Sequence, residues 1–293
     1  MVTFLFTGKQ RILSKYKKWK QQGVTVAGGN GEGSGLNQLS YPVGIVIDEN
    51  KTILIADNRN NRIDEWKYGS NNSQIIIDGN EKGNINYRLW NPLEVIIDKI
   101  NNALIVYSQA NEQVLRWFRE NQTIQELFDL DSSRNHIAMD KSGSIYISEV
   151  QQDQVTRWKD GDTDRTIVAG GNGVGDGLNQ LESPHFIFIN DNYSVYVSDY
   201  GNDRMMKWEK DATEGILVAG GINNFDTMPF PEGVIVDDCK GDLQGSIVVG
   251  GNGQGAESNQ LNGPTRLSFD HEGNLYVADS NNNRIQKFEL VSD

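Results

Sequence analysis

The chain has 293 residues, 37% of them hydrophobic, and 27 basic against 40 acidic side chains, a formal net charge of −13. Such a field repels nucleic acid and anionic lipid, whose binding needs clustered Lys and Arg to displace counterions. The single cysteine, Cys239, excludes an internal disulfide framework, and no apolar run approaches the roughly 18–20 residues that span a bilayer.

Residues 1–22 read as a basic N-terminal tail or short helix. Lys9, Arg11, Lys15, Lys17, Lys18 and Lys20 supply the charge, and Ile12, Tyr16 and Trp19 fall at helical spacing. The stretch Val2–Phe6 is too short for a signal-peptide core, and its basic residues follow it. Cytoplasmic and secreted locations both stay open.

From residue 23 a pattern recurs. Val26-Ala27-Gly28-Gly29 returns as Val168-Ala169-Gly170-Gly171, Val218-Ala219-Gly220-Gly221 and Val248-Val249-Gly250-Gly251, with a degenerate copy at Ile76–Gly79. Self-similarity at a period of about 45–50 residues marks a propeller or solenoid. Each full repeat reads as four short strands, a to d. The first has Val43–Asp48, Thr52–Asp57, Arg62–Lys67 and Gln74–Asp78. The second has Leu93–Asp98, Ala103–Ser108, Val114–Phe118 and Ile124–Phe128. The third has Ile137–Asp140, Ser144–Glu149, Val155–Lys159 and Thr166–Ala169, and the fourth Phe186–Asn190, Ser194–Asp199, Met205–Glu209 and Ile216–Ala219. Several are apolar on both faces, as Ile53-Leu54-Ile55-Ala56 is, which fits sheets covered on both sides.

The fifth repeat keeps strand a (Gly233–Asp237) and strand d (Ser246–Val249) but has no counterpart of b and c. The sixth has Arg266–Asp270, Asn274–Asp279 and Ile285–Leu290, and the chain then stops. Its missing d strand is available at the other end, in Gly23–Ala27. The expectation is an all-β, six-bladed β-propeller of four-stranded blades occupying residues 23–293. The blades fall at about 41–78, 92–128, 134–169, 184–219, 231–249 and 264–290 plus 23–27. The fifth blade is truncated to about two strands, and the N-terminal strand closes the ring by pairing with the C-terminal blade.

Repeated residues follow the repeats. Strand b ends in Asp57, Ser108, Glu149, Asp199 or Asp279, and five positions later stand Arg62, Gln113, Gln154, Arg204 and Arg284. Arg occurs wherever Asp does, so Asp57–Arg62, Asp199–Arg204 and Asp279–Arg284 read as structural charge-assisted pairs holding the b–c loop. Four residues further on, Trp66, Trp117, Trp158, Trp208 and Phe288 read as packing between blades. The Asp or Asn ending strand a caps the a–b turn. The glycine-rich segments lead through Asn-Gln-Leu to another strand rather than into a helix, so they read as d–a loops rather than phosphate cradles.

Ile55-Ala56-Asp57-Asn58-Arg59-Asn60-Asn61-Arg62-Ile63, with its counterpart Tyr276-Val277-Ala278-Asp279-Ser280-Asn281-Asn282-Asn283-Arg284-Ile285 and the upstream Pro42–Asp48, resembles NHL repeats. The resemblance covers about residues 24–290. Ser108 with Gln113, and Glu149 with Gln154, depart from the pattern. It implies a propeller that binds protein or RNA. Rings similar to the family's include amidating lyases, lactonases and strictosidine-synthase-like enzymes.

Aligning the repeats on the Asp or Asn of strand a places two rings of variable residues at the expected channel mouth. From these come the candidate binding residues Glu94, Asn135, His136, His185, Glu232 and Arg266, with Arg88 and Trp90 on the rim. No catalytic constellation is evident. The reading is a non-enzymatic scaffold that recognises a protein or peptide through its loop-rich face, without a cofactor. A monomer is expected unless the truncated blade drives association. Two alternatives stand beside it. One is a lyase- or lactonase-like enzyme holding calcium or zinc on Glu94, Asn135, His136 and Glu232, His271 falling on the opposite face. The other is an RNA-binding propeller, which the acidic balance disfavours.

Overall fold

The computed structural model describes residues 18–79, 89–130, 136–221 and 248–291, and the backbone of three further strands, Phe4–Phe6, Val234–Val236 and Gly245–Ile247. Two compact units are distinguished. One comprises Lys17–Ser133 and Val249–Asp293, the other Met1–Tyr16 and Arg134–Val248.

In the first unit lie three four-stranded sheets, each an antiparallel meander. The first sheet is Pro42–Ile47, Ile53–Asp57, Arg62–Trp66 and Gln74–Asp78. The second is Pro92–Asp98, Ala103–Ser108, Gln113–Phe118 and Ile124–Asp129. The last is Pro264–Phe269, Leu275–Asp279 and Arg284–Phe288, and its fourth strand is Val24–Gly28, which pairs Ala27 with Ile285 and Gly28 with Arg284. The second unit holds the third sheet, His136–Met139, Ile145–Glu149, Gln154–Trp158 and Thr166–Gly170. It also holds the fourth, Pro184–Ile189, Val195–Asp199, Arg204–Trp208 and Ile216–Gly220. Strand bounds agree with the sequence pattern to within two residues, because apolar runs and turn residues alternate at short intervals.

The number of blades differs from expectation. Six blades with a truncated fifth are expected; among the described residues there are five four-stranded blades, and the fifth repeat forms a different object. Phe4–Phe6 lies between Val234–Val236 and Gly245–Ile247, parallel to the former and antiparallel to the latter. A blade is antiparallel throughout, so a three-stranded sheet with a parallel pair is not a shortened blade. The eight residues between Val236 and Gly245 are too few for strands b and c with their turns, and a strand from far upstream lies between the two described strands. Residues 1–22 accordingly contain strands where a tail or helix is expected. Besides Phe4–Phe6, Lys18–Trp19 pairs with Leu290–Val291. Buried Trp19 donates from Nε1 to the Gly273 carbonyl at 2.9 Å and packs on Phe269. The candidate helix positions Ile12 and Tyr16 lie outside the described residues.

The core sits between neighbouring sheets. Ile45, Ile55 and Trp66 of the first sheet meet Tyr276, Ala278 and Ile285 of the last. Leu54, Ala56 and Ile63 on the opposite face meet Val95, Leu104 and Val106 of the second. Strand b of the first sheet is therefore buried at every residue, which is why its sequence is apolar without alternation. In the other unit Val155 and Ala169 pack against Ile187, Val197 and Trp208. Each Val, Leu or Ile among them contributes about 1.5–3 kcal/mol when fully buried. The five aromatics of strand c are all buried. Trp66 and Trp158 also donate from Nε1 to carbonyls of their c–d turns, at 2.8 and 3.1 Å.

Candidate functional site

Three repeats share one construction. Strand b ends in an aspartate that directly faces the arginine opening strand c, and the two side chains meet: Arg62 Nε lies 3.0 Å from Asp57, Arg204 Nε 2.6 Å from Asp199, and Arg284 Nε 2.7 Å from Asp279. The arginine reaches beyond its partner. Arg62 donates to the carbonyls of Ser34, Gly35 and Gln38, Arg204 to those of Asp176, Gly177 and Gln180, and Arg284 to those of Ala256, Glu257 and Gln260. The aspartate's other oxygen accepts a backbone amide at the far end of the same loop, Ser40, Glu182 or Asn262, at 2.8, 2.7 and 2.6 Å. Asn60, Asn202 and Asn282 each bridge the aspartate to a loop carbonyl. The group thus clasps the glycine-rich d–a loop entering its own sheet, more than it holds the b–c loop.

Inside each loop the same economy appears. Asn30 donates across the loop to Asn37, and Gln38 donates back to Asn30; Asn172 with Gln180, and Asn252 with Gln260, repeat it. Gly28 turns at φ +68, and a Cβ there would lie 2.4 Å from the Asn283 carbonyl oxygen, so only glycine fits.

Where Asp and Arg are lost, the Gly-Gly-Asn-Gly sequence of the preceding d–a loop is lost too. Ser108 Oγ takes over the terminal backbone contact, accepting from the Trp90 amide at 3.0 Å. Glu149 instead accepts from Gln154 and Thr156 and lies 3.4 Å from Arg165. Electrostatics mark the clasps as buried. Burial pushes the Asp57 carboxyl up to about 7, against the hydrogen bonds and Arg62 that pull it down. Burial raises Asp64 and Asp199 as well.

The candidate mouth residues separate by unit. In the first, Arg266 Nε lies 3.0 Å from Glu94 Oε2, both largely buried. The pair links strand a of the last sheet to strand a of the second, with strand a of the first sheet between them. Gly44 on that intervening strand permits the approach, since a Cβ there would lie 2.6 Å from the Leu93 carbonyl oxygen. Thr265 donates to the Val43 carbonyl at 3.3 Å. Trp90 is 44% exposed. In the second unit, buried His136 accepts the Ile187 amide on Nδ1 at 3.3 Å and packs on Phe186. His185 stacks on Tyr200, ring centroids 4.3 Å apart. Ser148 Oγ donates to the His185 carbonyl and accepts from the His136 amide. Arg88, Asn135 and Glu232 lie outside the described residues. His271 is in the a–b turn of the last sheet, beside Glu272.

Among the described residues no three His, Cys, Asp or Glu side chains converge as a metal site. Of the mixed ligand set, Glu94 has its carboxylate on Arg266 and His136 has Nδ1 on a backbone amide.

Two features escaped the sequence reading. The clasped loops carry exposed apolar residues, Leu36 at 49%, Val174 at 61% and Leu178 at 50%. Glycine content drew attention to the backbone and away from them. Two equivalent grooves of about 550 and 510 Å³ also run beside strand d. One lies between the third and fourth sheets, floored by Tyr146 and Trp208. The other lies between the last and first, floored by Tyr276 and Trp66.

The family model for the NHL repeat matches residues 39–63 and 261–288, the strand a to strand c portions of two clasped repeats. No curated protein matches the sequence. Among solved structures, a gluconolactonase from Xanthomonas campestris is similar, with a TM-score of 0.61 at 13% identity over 87% of this chain and 87% of that one. A streptogramin B lyase gives 0.58 at 13% identity over 87% and 95%. An auxiliary nutrient binding protein from Bacteroides thetaiotaomicron gives 0.53 at 17% identity over 98% and 76%. At such identities the likeness is one of fold.

Proposed function

We propose that this chain of NHL repeats, folded as a β-propeller, is a non-enzymatic binding module that recognises a protein or peptide through its d–a and b–c loops. The observation that carries the reading is the clasp. Three long loops, which glycine would otherwise leave loose, are each fixed by an arginine on three carbonyls and an aspartate on a terminal amide. Ordering a loop before binding removes an entropy cost from association. The residues these loops leave exposed, Leu36, Val174 and Leu178, are of the kind that anchors a partner surface. Trp90 belongs with them, as an aromatic at the entrance to the second sheet.

The partner is a protein or peptide rather than a nucleic acid or membrane, because the net charge of −13 opposes polyanions. The reading uses no cofactor. A lyase- or lactonase-like reading draws on the structural neighbours alone. Against it, Glu94 is engaged by Arg266, and a carboxylate in an ion pair is a poor ligand until that pair is broken.

Selection of a phage-displayed random-peptide library on the immobilised folded chain tests the proposal. Enriched peptides should bind at least about tenfold more weakly to Leu178→Ser or Trp90→Ala, the loss of one interface anchor, with circular dichroism unchanged. No enrichment, or peptides indifferent to every loop replacement, would overturn it.

A further inference from the structure

One clasp differs from the other two at a single buried position. Two residues after the arginine, where the fourth and last sheets carry Met206 and Gln286, strand c of the first sheet carries Asp64. Asp57 and Asp64 are both 0% exposed, and both direct an oxygen to the same Arg62 Nε, at 3.0 and 2.9 Å. One guanidinium therefore faces two carboxylates. Fully ionised, the cluster buries a net negative charge, which low-polarity surroundings strongly disfavour. Two interacting carboxyls in this position titrate as a pair and keep a proton longer than either would alone.

The cluster is wired to the loop. Asp57 accepts the Ser40 amide at 2.8 Å, and Asn60 joins Asp57 to the Gly33 carbonyl. Ser73 Oγ lies 2.8 Å from Asp64 Oδ1 and 3.0 Å from the Leu36 carbonyl oxygen. A hydroxyl has one proton to donate. With a proton shared by the carboxyl pair, Asp64 competes less for that hydroxyl and Ser73 donates it to Leu36. With both carboxyls ionised, Asp64 draws the Ser73 hydroxyl away, and the Leu36 carbonyl keeps only the Ser73 backbone amide, at 2.7 Å. Of the other charged groups nearby, Glu32 on the loop accepts from the Ser40 hydroxyl and is ion-paired to Arg59 of the turn after strand b, and Asp78 stands opposite Arg62 in the register of strand d. Glu94 on the neighbouring sheet is tied to Arg266.

We propose that Asp57, Arg62 and Asp64 form a proton-dependent clasp that holds the loop of residues 28–40 firmly when one proton is shared by the carboxylates and loosens it when that proton leaves. The other two clasps, each with a single carboxylate, lack the device. The inference stands apart from the binding reading, though it would make one recognition loop pH-sensitive if that reading holds. The direction follows from the burial of Asp57. A carboxyl held up at about 7 in the folded chain, against roughly 3.9 when unfolded, stabilises the fold fully below the unfolded value. That contribution is lost as pH rises through 7.

Hydrogen exchange on the whole chain between pH 5.5 and 8.5, corrected for intrinsic rates, reads the effect directly. The amides of Gly33, Gln38 and Ser40 should lose roughly tenfold in protection across pH 7, the scale of one weakened hydrogen bond to a charged group. Gly255, Gln260 and Asn262 in the equivalent loop should not. Asp64→Gln, which gives the first sheet the residue the last sheet has, should remove the difference. Parallel behaviour of the two loops in the unaltered protein would overturn the proposal whether or not the variant folds. So would a difference that persists in Asp64→Gln.

Discussion

Arg204 ties a buried carboxylate to three loop carbonyls. Arg204→Met takes the guanidinium from all four acceptors and leaves the Asp199 charge with only the Glu182 amide and Asn202, and loss of one partner from a buried pair costs about 3–5 kcal/mol. A lowered urea midpoint at unchanged slope is the expected reading. Adding Asp199→Asn, which removes the orphaned charge and still accepts the Glu182 amide, should recover part of that loss. At Gly44 a methyl group meets backbone rather than a yielding side chain, so Gly44→Ala should cost about 1–3 kcal/mol. Its thermal midpoint should fall well below that of an alanine placed at exposed Gly31, where nothing lies within 4 Å although the positive φ adds some strain there too. The aspartate–arginine spacing was legible because the two residues face each other across one hairpin. The arginine's larger duty was not, since its carbonyl partners lie 24 to 28 residues upstream. A signal did exist: the Gly-Gly-Asn-Gly loop precedes those repeats that keep both Asp and Arg, and is missing before Ser108 and Glu149. At the candidate mouth, variability between repeats pointed to Glu94 and Arg266 one by one, but not to their ion pair, which depends on three strands lying side by side.

At the scale of elements, strand c and strand d slip register by one residue in all five four-stranded sheets. Such bulges bend an outer strand away from a flat edge and discourage sheet-to-sheet association. The last sheet depends on a borrowed strand for this protection. A chain lacking residues 1–28 should expose the edge of Arg284–Phe288 and uncover Ile285, and light scattering should report dimers or aggregates. A chain lacking only residues 1–7 keeps Val24–Gly28 and should keep that edge covered. The pairing of chain ends was readable because one end lacked a d strand and the other had one to spare. Phe4–Phe6 and Lys18–Trp19 were not readable, because three or two residues carry no periodicity and their partners are remote. The same remoteness explains the miscounted blades: repeated motifs report where a sheet starts, and only residues for four strands make it a blade.

For the molecule as a whole, Phe4–Phe6 belongs to one compact unit while the chain from Lys17 belongs to the other. Leu5 is the middle residue of a central strand, where proline removes a ladder donor. Leu5→Pro should speed hydrogen exchange at Val234–Val236 and Gly245–Ile247 and leave Leu275–Asp279 as slow as before. The borrowed strand of the last sheet has a different consequence, for the order of events at the ribosome. The first four sheets each draw on a continuous stretch of chain and are free to form as translation proceeds. Val24–Gly28 is made before all four of them and finds its partner only when Arg284–Phe288 has emerged. Closing so long a loop is slow relative to local pairing, and until then the borrowed strand waits as an uncovered apolar segment. Nascent chains arrested before residue 264 should therefore be cut by protease at Val24–Gly28 while Ile53–Asp57 is already protected.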